Sequence, residues 1–510
     1  MLSIVNSFGL VGLDGYLVKV EVDINKGLPS YDIVGLADTS IKESKQRVRS
    51  AIKNSNLKFP IDKITINLAP ADTRKEGSFY DLPIAMGLLS ATNQIPVESI
   101  VDSYFVGELS LDGSVRKING LLPMLISARN MGVKKIFIPY ENSKEASYIE
   151  DVQIYAIKTL QQLTSFLLGE TDIQPITHET YQSAIQSRAT IFDFSMVKGQ
   201  ASAKRALEIA AAGGHNVLMI GPPGSGKTLL AKCFPSILPD MTFEEALEVT
   251  KIHSISGVLD NKVGIITTRP FRAPHHTATT VALTGGGKNA KPGEISLAHN
   301  GVLFLDELPE YTRYTIETLR QPLEDGVITV ARNAQTVEYP AQFTMIASMN
   351  PCPCGNYGSK THECKCTPMQ IHRYLNKISG PLMDRIDLHV EVDSLTFQEI
   401  SSELVAEDSK TIKARVEIAR KYQRARFKDT KVHNNSKMNS SQIKKFCKLT
   451  QDQQQVLEQA FDKFKLSARA HDRILKVART IADLDNSDQI QLEHLLEAIS
   501  YRSLDNKYWV

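Results

Sequence analysis

The 510-residue sequence contains no apolar run of about 18 residues, the length that a membrane-spanning helix needs. Its first residues, Met1-Leu-Ser-Ile-Val-Asn6, lack the basic start and the long apolar centre of a signal peptide. Only six cysteines are present, which argues against a disulfide scaffold. These absences together predict a cytoplasmic protein that has no membrane-bound part.

The sequence also lacks a strong charge of one sign, with 59 Lys and Arg against 57 Asp and Glu and a net charge of +2. A nucleic-acid site would therefore be a local patch and not a field of the whole molecule. The 42% hydrophobic and 23% charged content is ordinary for a globular protein. A chain of this length exceeds what one core supports, so we expect roughly two to four domains.

The clearest motif that the chain does contain follows the strand-like run Asn216-Val-Leu-Met-Ile220. It matches G-x-x-x-x-G-K-[ST], a loop whose backbone N–H groups wrap a triphosphate before a helix begins. Its lysine reaches the β- and γ-phosphates, and its Ser/Thr hydroxyl ligates Mg²⁺. The predicted nucleotide-binding residues are Gly221, Pro222, Pro223, Gly224, Ser225, Gly226, Lys227 and Thr228.

Two further apolar runs end in polar side chains. Gly301-Val-Leu-Phe-Leu305 is followed by Asp306 and Glu307, and Phe343-Thr-Met-Ile-Ala-Ser-Met349 is followed by Asn350. Such runs are typical of buried parallel strands, whose ligands lie beyond the strands' carboxyl ends. We expect Asp306 to hold Mg²⁺, Glu307 to act as general base on water, and Asn350 to orient the water or the γ-phosphate.

The guanine-recognition motif N-K-x-D of GTPases has no match, because Asn261-Lys262 is followed by Val and Gly. ATP is therefore the expected nucleotide. A solvated acidic pair and a turn asparagine before Pro351 are the plainer interpretations of Asp306, Glu307 and Asn350. The P-loop upstream makes us favour the catalytic one.

Several longer stretches carry a resemblance to a known family. They include Arg269-Pro-Phe-Arg-Ala-Pro-His-His276, Pro292 to Glu307, Asn350-Pro-Cys-Pro-Cys-Gly355 and Ser379-Gly-Pro-Leu-Met-Asp-Arg-Ile-Asp387. Together with the P-loop they resemble the magnesium-chelatase-like AAA+ family and, within it, the YifB/ComM subfamily. The resemblance covers essentially the whole chain. It implies a homo-oligomeric ring, usually a hexamer, that holds ATP between subunits.

The resemblance also implies roles for basic residues. Arg385 matches the arginine finger that enters a neighbour's site, where a planar, permanently charged group stabilises the transition-state phosphoryl oxygens. Arg469 matches the second sensor on the helical lid, and Arg473 is a weaker rival for that role. Residues 198–200 lie where relatives hold the adenine. His275 and His276 are expected to shape a loop, because we expect no carboxylate near them.

The amino-terminal part alternates strand-like and helix-like segments. Strands are predicted at residues 15–23, 64–68 and 135–138, and helices at 40–52, 82–91 and 121–129. Gly107-Glu-Leu-Ser-Leu-Asp-Gly113 and the residues after it resemble the proteolytic domain of Lon. Lon uses a Ser–Lys dyad, but Phe79 stands at the nucleophile position, with Ser78 one residue off, and Met124 at the lysine position. We therefore expect a scaffold or partner-binding module without proteolytic activity.

These observations predict an α/β fold in three parts. The Lon-protease-like domain, of the ribosomal S5 domain 2-like type, spans residues 1–172, and a linker spans 173–190. The AAA+ P-loop NTPase α/β core spans 191–395, and a C-terminal α-helical lid spans 396–510. The predicted lid helices include one that begins at a capping box, Thr450 to Gln453.

Four of the six cysteines form two C-x-C pairs, Cys352 with Cys354 and Cys364 with Cys366. Four thiolates suit tetrahedral Zn²⁺, and His362 would be able to replace one of them. Reduced cysteines without a metal are the alternative. Cys233 and Cys447, which stand alone in the sequence, are predicted to be core residues.

Residues 410–448 hold thirteen Lys or Arg against only two acids, with Tyr422 and Phe427 interleaved. This basic stripe is a candidate phosphate-binding surface with stacking groups, although a solvated helix face explains it equally well. A hairpin predicted at residues 325–337 offers a second DNA candidate, as in related ring helicases. The DNA candidates are Arg332, Lys421, Arg424, Arg426 and Lys428.

The sequence thus favours a ring-forming AAA+ ATPase with ATP, Mg²⁺ and a candidate Zn²⁺ as cofactors. The resemblance implies movement on single-stranded or branched DNA, in branch migration of recombination intermediates during natural transformation, with recombination proteins as partners. The alternative is a chelatase- or chaperone-like ATPase that remodels a protein partner without binding DNA. A protease and a non-catalytic nucleotide-gated scaffold are disfavoured by Phe79 and Met124 and by the intact ATP motifs.

Overall fold

The computed structural model describes residues 1–186, 191–260, 262–287, 290–332, 335–358, 362–394, 406–430, 432–464 and 466–509. The chain divides into two compact units. The first comprises Met1–Arg188 and Phe243–Thr267, and the second comprises Ala189–Thr242 and Thr268–Val510. None of the helices in these described ranges is long and apolar enough to cross a membrane.

A seven-stranded mixed sheet forms the centre of the first unit. The two longest strands form an antiparallel pair, with Leu2 opposite Asp23 and Val11 opposite Asp14. Along the second of them, Val18, Val20 and Val22 are fully buried, so the predicted alternation of faces is confirmed. In spatial order the strands are Ser30–Val34, Lys63–Ala69, Asp14–Asn25, Leu2–Val11, Ser103–Phe105, Lys135–Pro139 and Gln153–Ile157.

Helices cover this sheet, and every residue of the apolar helix Asp81–Ala91 is buried. The helix predicted at residues 40–52 is divided into two, and the helices predicted at 82–91 and 121–129 are confirmed. The helices of the first unit are Thr39–Lys42, Ser44–Asn54, Asp81–Ala91, Leu121–Asn130, Ser143–Ala146, Leu160–Leu167, Tyr181–Gln186 and Phe243–Ser256.

The last of these helices comes from the middle of the sequence, and the sequence analysis did not predict its place. The Ser254 carbonyl accepts a hydrogen bond from the Gly120 N–H at 3.1 Å. The Ser254 hydroxyl donates to the buried Glu145 carboxylate at 2.9 Å. Residues 243–267, which lie between the P-loop and the strand Phe271–Arg272 in the sequence, are therefore built into the amino-terminal unit.

Part of the predicted linker also packs on the first unit. The Ile176 N–H donates to the Ile154 carbonyl at 2.8 Å, and the Glu179 N–H donates to the Ser147 carbonyl at 2.9 Å. Helix Tyr181–Gln186 follows, and the Tyr181 ring lies 5.6 Å from the Phe243 ring. Residues 187–190 lie outside the described residues. At least the first half of this polar stretch is thus ordered against the sheet.

The second unit contains a five-stranded, all-parallel sheet. Its central strands are buried along their whole length and most of their residues are apolar, as predicted for strands that are covered on both faces. In spatial order the strands are Phe271–Arg272, Val302–Leu305, Thr344–Met349, Val217–Ile220 and Leu388–Glu391. The carboxyl ends of all five strands lie along one edge of the sheet, where the sequence places Asp306, Glu307 and Asn350.

Helices surround this sheet and form the carboxyl-terminal part of the unit. The helix after residue 450 begins at the predicted capping box, in which the Thr450 N–H donates to the Gln453 side chain at 2.9 Å. The longer helices are Ala201–Gly213, Lys227–Cys233, Pro368–Leu375, Ser409–Arg426, Ser440–Phe446, Gln451–Phe464, Ala468–Leu484 and Leu492–Ser500. The short ones are Thr280–Thr284, Glu294–Leu297, Arg313–Glu317, Arg320–Asp325, Gly380–Met383 and Leu504–Tyr508.

A hairpin belongs to the same unit. Strand Val327–Arg332 pairs antiparallel with strand Gln335–Pro340, and Arg332 lies opposite Gln335. Residues 333 and 334, at its tip, lie outside the described residues. The predicted hairpin is confirmed, and so is the predicted fold class, which combines an α/β P-loop core with a helical carboxyl-terminal part.

Candidate nucleotide-binding site

The glycine-rich loop joins the strand Val217–Ile220 to the helix Lys227–Cys233. Gly226 has a φ of 92°, in the left-handed region that residues with a side chain rarely adopt. A side chain at Gly221 would place its Cβ 2.2 Å from the Val392 carbonyl oxygen. The loop conformation therefore requires glycine at both positions, as the motif predicts.

Lys227 folds back over this loop. Its ammonium donates to the carbonyl oxygens of Gly221 at 2.7 Å and Pro222 at 2.8 Å, and it lies 3.4 Å from the Asn350 side-chain oxygen. Burial lowers the pKa of Lys227 to about 8, although Asp306 and Glu307 oppose the shift. Phosphate oxygens would be stronger acceptors for this ammonium than the neutral carbonyls.

Thr228 and Asp306 meet beside the lysine. The Thr228 hydroxyl donates to the Asp306 carboxylate at 3.1 Å. The other oxygen of Asp306 accepts from the Ser348 hydroxyl and from the Glu307 N–H, the latter at 3.1 Å. A hydroxyl and a carboxylate are hard oxygen donors of the kind that Mg²⁺ takes in proteins. Ser348, in the neighbouring strand, was not identified from the sequence.

Glu307 follows Asp306 with its carboxylate turned outward and about half exposed, at 53%. Its φ of 53° is uncommon for a residue with a side chain, and such conformations cluster at functional sites. His276 lies with Nδ1 3.7 Å from this carboxylate. The expectation that no carboxylate lies near His275 and His276 is therefore wrong for His276. The two meet because strand Phe271–Arg272 pairs with strand Val302–Leu305.

Gln200, in the segment that relatives use for adenine, adopts a left-handed conformation immediately before the helix Ala201–Gly213. Its side-chain amide donates to the Asp393 carbonyl at 2.7 Å and to the Ser225 carbonyl at 3.2 Å. These bonds join the segment to the P-loop and to the end of the strand Leu388–Glu391. Asp393 was not identified from the sequence.

Arg385 is 8% exposed and, among the described residues, has no hydrogen bond or ion pair to this loop. Its guanidinium donates to the Pro381 carbonyl at 2.7 Å and forms an ion pair with Glu324. Arg469 is exposed in the first turn of the helix Ala468–Leu484. The residue that caps this helix, Ser467, donates to Asp384 at 3.2 Å. The structure therefore brings the start of the Arg469 helix next to the segment that carries Arg385.

Arg473 has a different environment. Its guanidinium pairs with the buried Asp387 and donates to the Arg385 carbonyl at 3.2 Å. Asp387 also lies 3.3 Å from His215 Nδ1 and accepts from the Asn216 N–H at 3.0 Å. Arg473 thus joins the helix to the sheet, which leaves Arg469 as the exposed arginine of the pair.

The four clustered cysteines meet in space, with all four sulfur atoms within 4.8 Å of one another. Cys352 Sγ lies 3.4 Å from Cys354 Sγ and 3.7 Å from Cys364 Sγ. Backbone N–H groups of Asn356 and Lys365 lower the pKa of Cys354 to about 6. Four sulfurs at about 2.3 Å from one ion would be about 3.8 Å apart. The cluster therefore has the size and the donors of a metal site.

The remaining cysteines do not join this cluster. Cys233 and Cys447 are buried, at 0% and 5% exposure, and both belong to the hydrophobic core of the second unit. The prediction that these two residues pack in the core is confirmed.

Only part of the basic stripe is exposed to solvent. Arg426 forms a two-point ion pair with Asp483, and Phe427 is buried. The hypothesis that these two residues face DNA is therefore wrong, because both are engaged inside the protein. Lys421, Arg424 and Lys428 are exposed along the outer face of the helix Ser409–Arg426 and just beyond it. Lys431 lies outside the described residues.

In the first unit, the two positions that match the Lon dyad are inside the core. Phe79 is 8% exposed and Met124 is fully buried. The adjacent Ser78 hydroxyl donates to the Glu108 carboxylate. Neither dyad position offers a polar group, since a phenyl ring and a thioether carry no exchangeable proton.

Comparison with known proteins gives matches along nearly the whole chain. Residues 193–400 match the family model of magnesium chelatase subunit ChlI, residues 20–142 match that of subunit ChlI of Mg-chelatase, and residues 406–502 match that of the ChlI C-terminal region. The chain is 45% identical to the uncharacterized protein YifB of Escherichia coli K12 over 505 residues, which cover 99% of this chain and 97% of YifB.

Two further relatives are informative. The chain is 43% identical to the competence protein ComM of Haemophilus influenzae over 509 residues, or 99% of this chain and 98% of ComM. It is 30% identical to Lon protease 2 of Bacillus subtilis over 196 residues, which cover 34% of each chain. The resemblances inferred from the motifs are confirmed.

Proposed function

The chain belongs to the magnesium chelatase ChlI family of AAA+ ATPases, among relatives of YifB and ComM, and we propose that it couples ATP hydrolysis to translocation on DNA. The observation that carries the ATPase part is the meeting of Lys227, Thr228, Asp306 and Asn350 at one edge of the parallel sheet. Three strands that are distant in sequence deliver these groups to one place.

In this proposal the P-loop residues 221–228 bind the phosphates of ATP, and Lys227 neutralises the β- and γ-phosphates. Thr228 and Asp306 would hold Mg²⁺, which offsets phosphate charge. Glu307, next to them and open to solvent, accepts a proton from the attacking water. Asn350, 3.4 Å from the Lys227 ammonium, orients that water or the γ-phosphate.

We further propose that the site is completed by a neighbouring copy of the chain in a closed ring, which we expect to be a hexamer. Among the described residues, no hydrogen bond or ion pair joins the Arg385 side chain to residues 221–228 of its own chain. This arrangement supports the proposal that Arg385 serves as a finger for the neighbour. Arg469, in the first turn of the helix Ala468–Leu484, is proposed to act as the second sensor on the helical lid. A finger in trans stabilises transition-state charge only when the ring forms.

The likeness to a competence protein supports DNA as the partner, and branch migration of recombination intermediates in natural transformation as the process. Lys421, Arg424 and Lys428 share one exposed face and would contact backbone phosphates. Arg332, at the end of a hairpin strand, is the second candidate. Recombination proteins are the expected partners. We place the protein in the cytoplasm, where DNA is accessible and cysteines stay reduced.

We propose Zn²⁺ for the cysteine cluster, because four thiol donors at near-tetrahedral spacing suit this ion. Cys352 and Cys354 follow Asn350 within four residues. A metal there would brace the loop that begins at the hydrolysis site. The amino-terminal unit, with Phe79 and Met124 buried at the dyad positions, is proposed as a scaffold without proteolytic activity.

The test is ATP turnover and branch migration with a synthetic forked or three-strand DNA substrate. Turnover is expected to rise with single-stranded or branched DNA, and the strands are expected to exchange only with ATP. Glu307→Gln should bind ATP and hydrolyse it slowly, which gives the control. Turnover without any DNA binding at low salt would instead favour the alternative, a chelatase-like ATPase that remodels a protein partner.

A further inference from the structure

A surface cavity of about 650 Å³ lies beside Arg385 in the second unit. Its walls come from the helix Arg320–Asp325, the neighbouring helix Arg313–Glu317 and the first strand of the hairpin. The lining carries both signs of charge, with Arg320 and Arg385 against Glu317, Glu324 and Asp325. Both guanidinium groups are paired with an acid of the same chain, Arg320 with Glu317 and Arg385 with Glu324. A ligand rich in anionic oxygens would therefore have to displace a carboxylate before it could contact either arginine.

Glu324 forms an ion pair with Arg385, the more buried of these two arginines. The Arg385 side chain is 8% exposed while that of Glu324 is 55% exposed. The Arg385 Nε is buried and has no hydrogen-bond partner among the described residues. The Glu324 carboxylate is therefore the more exposed partner, and it covers the Arg385 guanidinium. The Nε–H of Arg385 is left as an unused donor.

The charges around Glu324 are mostly positive. The hydrogen bond from Arg385 lowers the pKa of Glu324, and the charges of Arg385, Arg469 and Arg473 lower it further although burial opposes them. Arg473 is already paired with Asp387. Arg385 and Arg469 are the two residues that we expect to act on ATP, and the charges of both act on the same carboxylate of their own chain.

We propose that Glu324 is an internal substitute for phosphate, which holds Arg385 in the isolated chain until the ATP bound to a second copy enters the cavity and displaces it. This inference rests on the proposed sharing of the ATP site between copies. A triphosphate carries more charge than a carboxylate and offers two-point contacts to a guanidinium. Release of Arg385 would therefore be coupled to the arrival of a neighbour that has ATP, so Glu324 sets how readily the ring becomes active.

The experiment measures ATP turnover per chain against protein concentration for the full-length protein. Glu324→Gln keeps the size of the side chain and removes its charge. An ion pair of this exposure is worth a factor of about two to five, so the concentration for half-maximal turnover should fall by about that factor. The maximal turnover should stay unchanged. Glu407→Gln removes an exposed carboxylate that pairs with Arg415 and should leave both quantities unchanged.

A second measurement follows assembly directly, by sedimentation with a non-hydrolysable ATP analogue. Glu324→Gln should assemble at lower protein concentration than the wild type, and the double variant with Arg385→Ala should lose this gain. An unchanged half-activating concentration, or a lower maximal turnover for Glu324→Gln, would overturn the inference. Absence of wild-type turnover at every concentration would refute the proposed ATPase function itself, so the two failures are distinguishable.

Discussion

Arg426 and Asp483 form a two-point ion pair, with nitrogen–oxygen distances of 2.7 and 2.6 Å. The Asp483 side chain is 1% exposed and that of Arg426 is 13% exposed. The same carboxylate accepts from Asn435 at 2.8 Å and from Arg479 at 3.1 Å. Part of the basic stripe therefore neutralises a buried acid and ties the helix Ser409–Arg426 to the helix Ala468–Leu484.

We predict that Arg426→Ala destabilises the second unit, because it leaves the Asp483 charge buried with fewer partners. Breaking such a pair from one side costs about 3–5 kcal/mol. Thermal unfolding followed by calorimetry should show this loss, whereas Lys421→Ala, on the exposed face of the same helix, should unfold like the wild type. Equal melting of the two variants would contradict the structural role of Arg426.

The exposed face gives the complementary prediction. Replacing Lys421, Arg424 and Lys428 by Gln together should weaken binding to single-stranded DNA and leave the melting temperature unchanged. Because each phosphate contact contributes about 0.7 to the slope of log affinity against log salt, the slope should fall by about 2. Fluorescence anisotropy over a range of salt concentrations measures both effects.

The control for this triple variant removes the same charge elsewhere. Lys26, Lys42 and Lys53 are exposed in the first unit, and their replacement by Gln should leave the salt slope as in the wild type. If both triple variants lost affinity equally, the DNA contact would be a general charge effect and not the helix face.

The stripe also shows where sequence analysis fails in this chain. The local charge pattern led us to expect Arg426 and Phe427 at the surface. Their partners Asp483 and Phe446 lie elsewhere in the sequence, so the pattern could not reveal that both residues are engaged inside the protein. His276 and Glu307 meet only because their strands are neighbours in a parallel sheet. By contrast, the P-loop and the apolar strands were predictable, since their geometry is encoded within a few consecutive residues.

The insertion of Phe243–Ser256 into the first unit escaped prediction for a similar reason. Its contacts are with Gly120 and Glu145, more than a hundred residues earlier in the chain. Apolar periodicity indicates that such a helix is buried on one face, but it does not say which sheet or helix covers that face.

Asp387 gives a prediction for pH dependence. Burial alone would raise the pKa of Asp387, but Arg473, His215 and the Asn216 N–H overcome it and hold the pKa well below its ordinary value. A carboxylate whose pKa is lower in the folded state than in the unfolded state stabilises the fold at pH values above its unfolded-state pKa of about 4. This contribution is lost as the pH falls below that value. The stability gap between wild type and Asp387→Asn should therefore be constant from pH 7 to 5 and shrink below about pH 4.

Thermal unfolding at several pH values measures this gap. Asp429→Asn removes the same charge from an exposed position and should show little gap at any pH. A gap for Asp387→Asn that stayed unchanged down to pH 3 would mean that the ion pair is not what stabilises this part of the fold.

For the cysteine cluster, we predict about one zinc ion per chain. Cys354→Ser should lower the zinc content and the melting temperature, because loss of one ligand weakens a site whose binding energy contributes to folding. Elemental analysis and calorimetry give the two readouts. Cys447→Ala, a core cysteine outside the cluster, should keep its zinc even if it melts earlier. Zinc-free wild-type protein with four titratable thiols in the cluster would contradict the assignment.

Sharing of the ATP site between copies predicts the result of a mixing experiment. Lys227→Ala should be inactive because it lacks the phosphate-binding ammonium, and Arg385→Ala because it lacks the finger. In a mixed ring, an ATP site is complete where the intact P-loop of an Arg385→Ala copy lies next to the Arg385 of a Lys227→Ala copy. Random mixing of equal amounts makes about a quarter of the head-to-tail interfaces complete, so turnover should recover to about a quarter of the wild-type rate.

A mixture of Arg385→Ala with the double variant Lys227→Ala/Arg385→Ala separates this explanation from simple stabilisation of the ring. The P-loop side of the Arg385→Ala copies is intact in both mixtures, but no copy in the second mixture carries Arg385, so turnover should stay near zero. Recovery in this second mixture would mean that assembly alone restores activity and that Arg385 does not act across the interface. The two mixtures differ only in whether the Lys227→Ala copy supplies Arg385, because the P-loop, the acids and the arginine must come together from two chains.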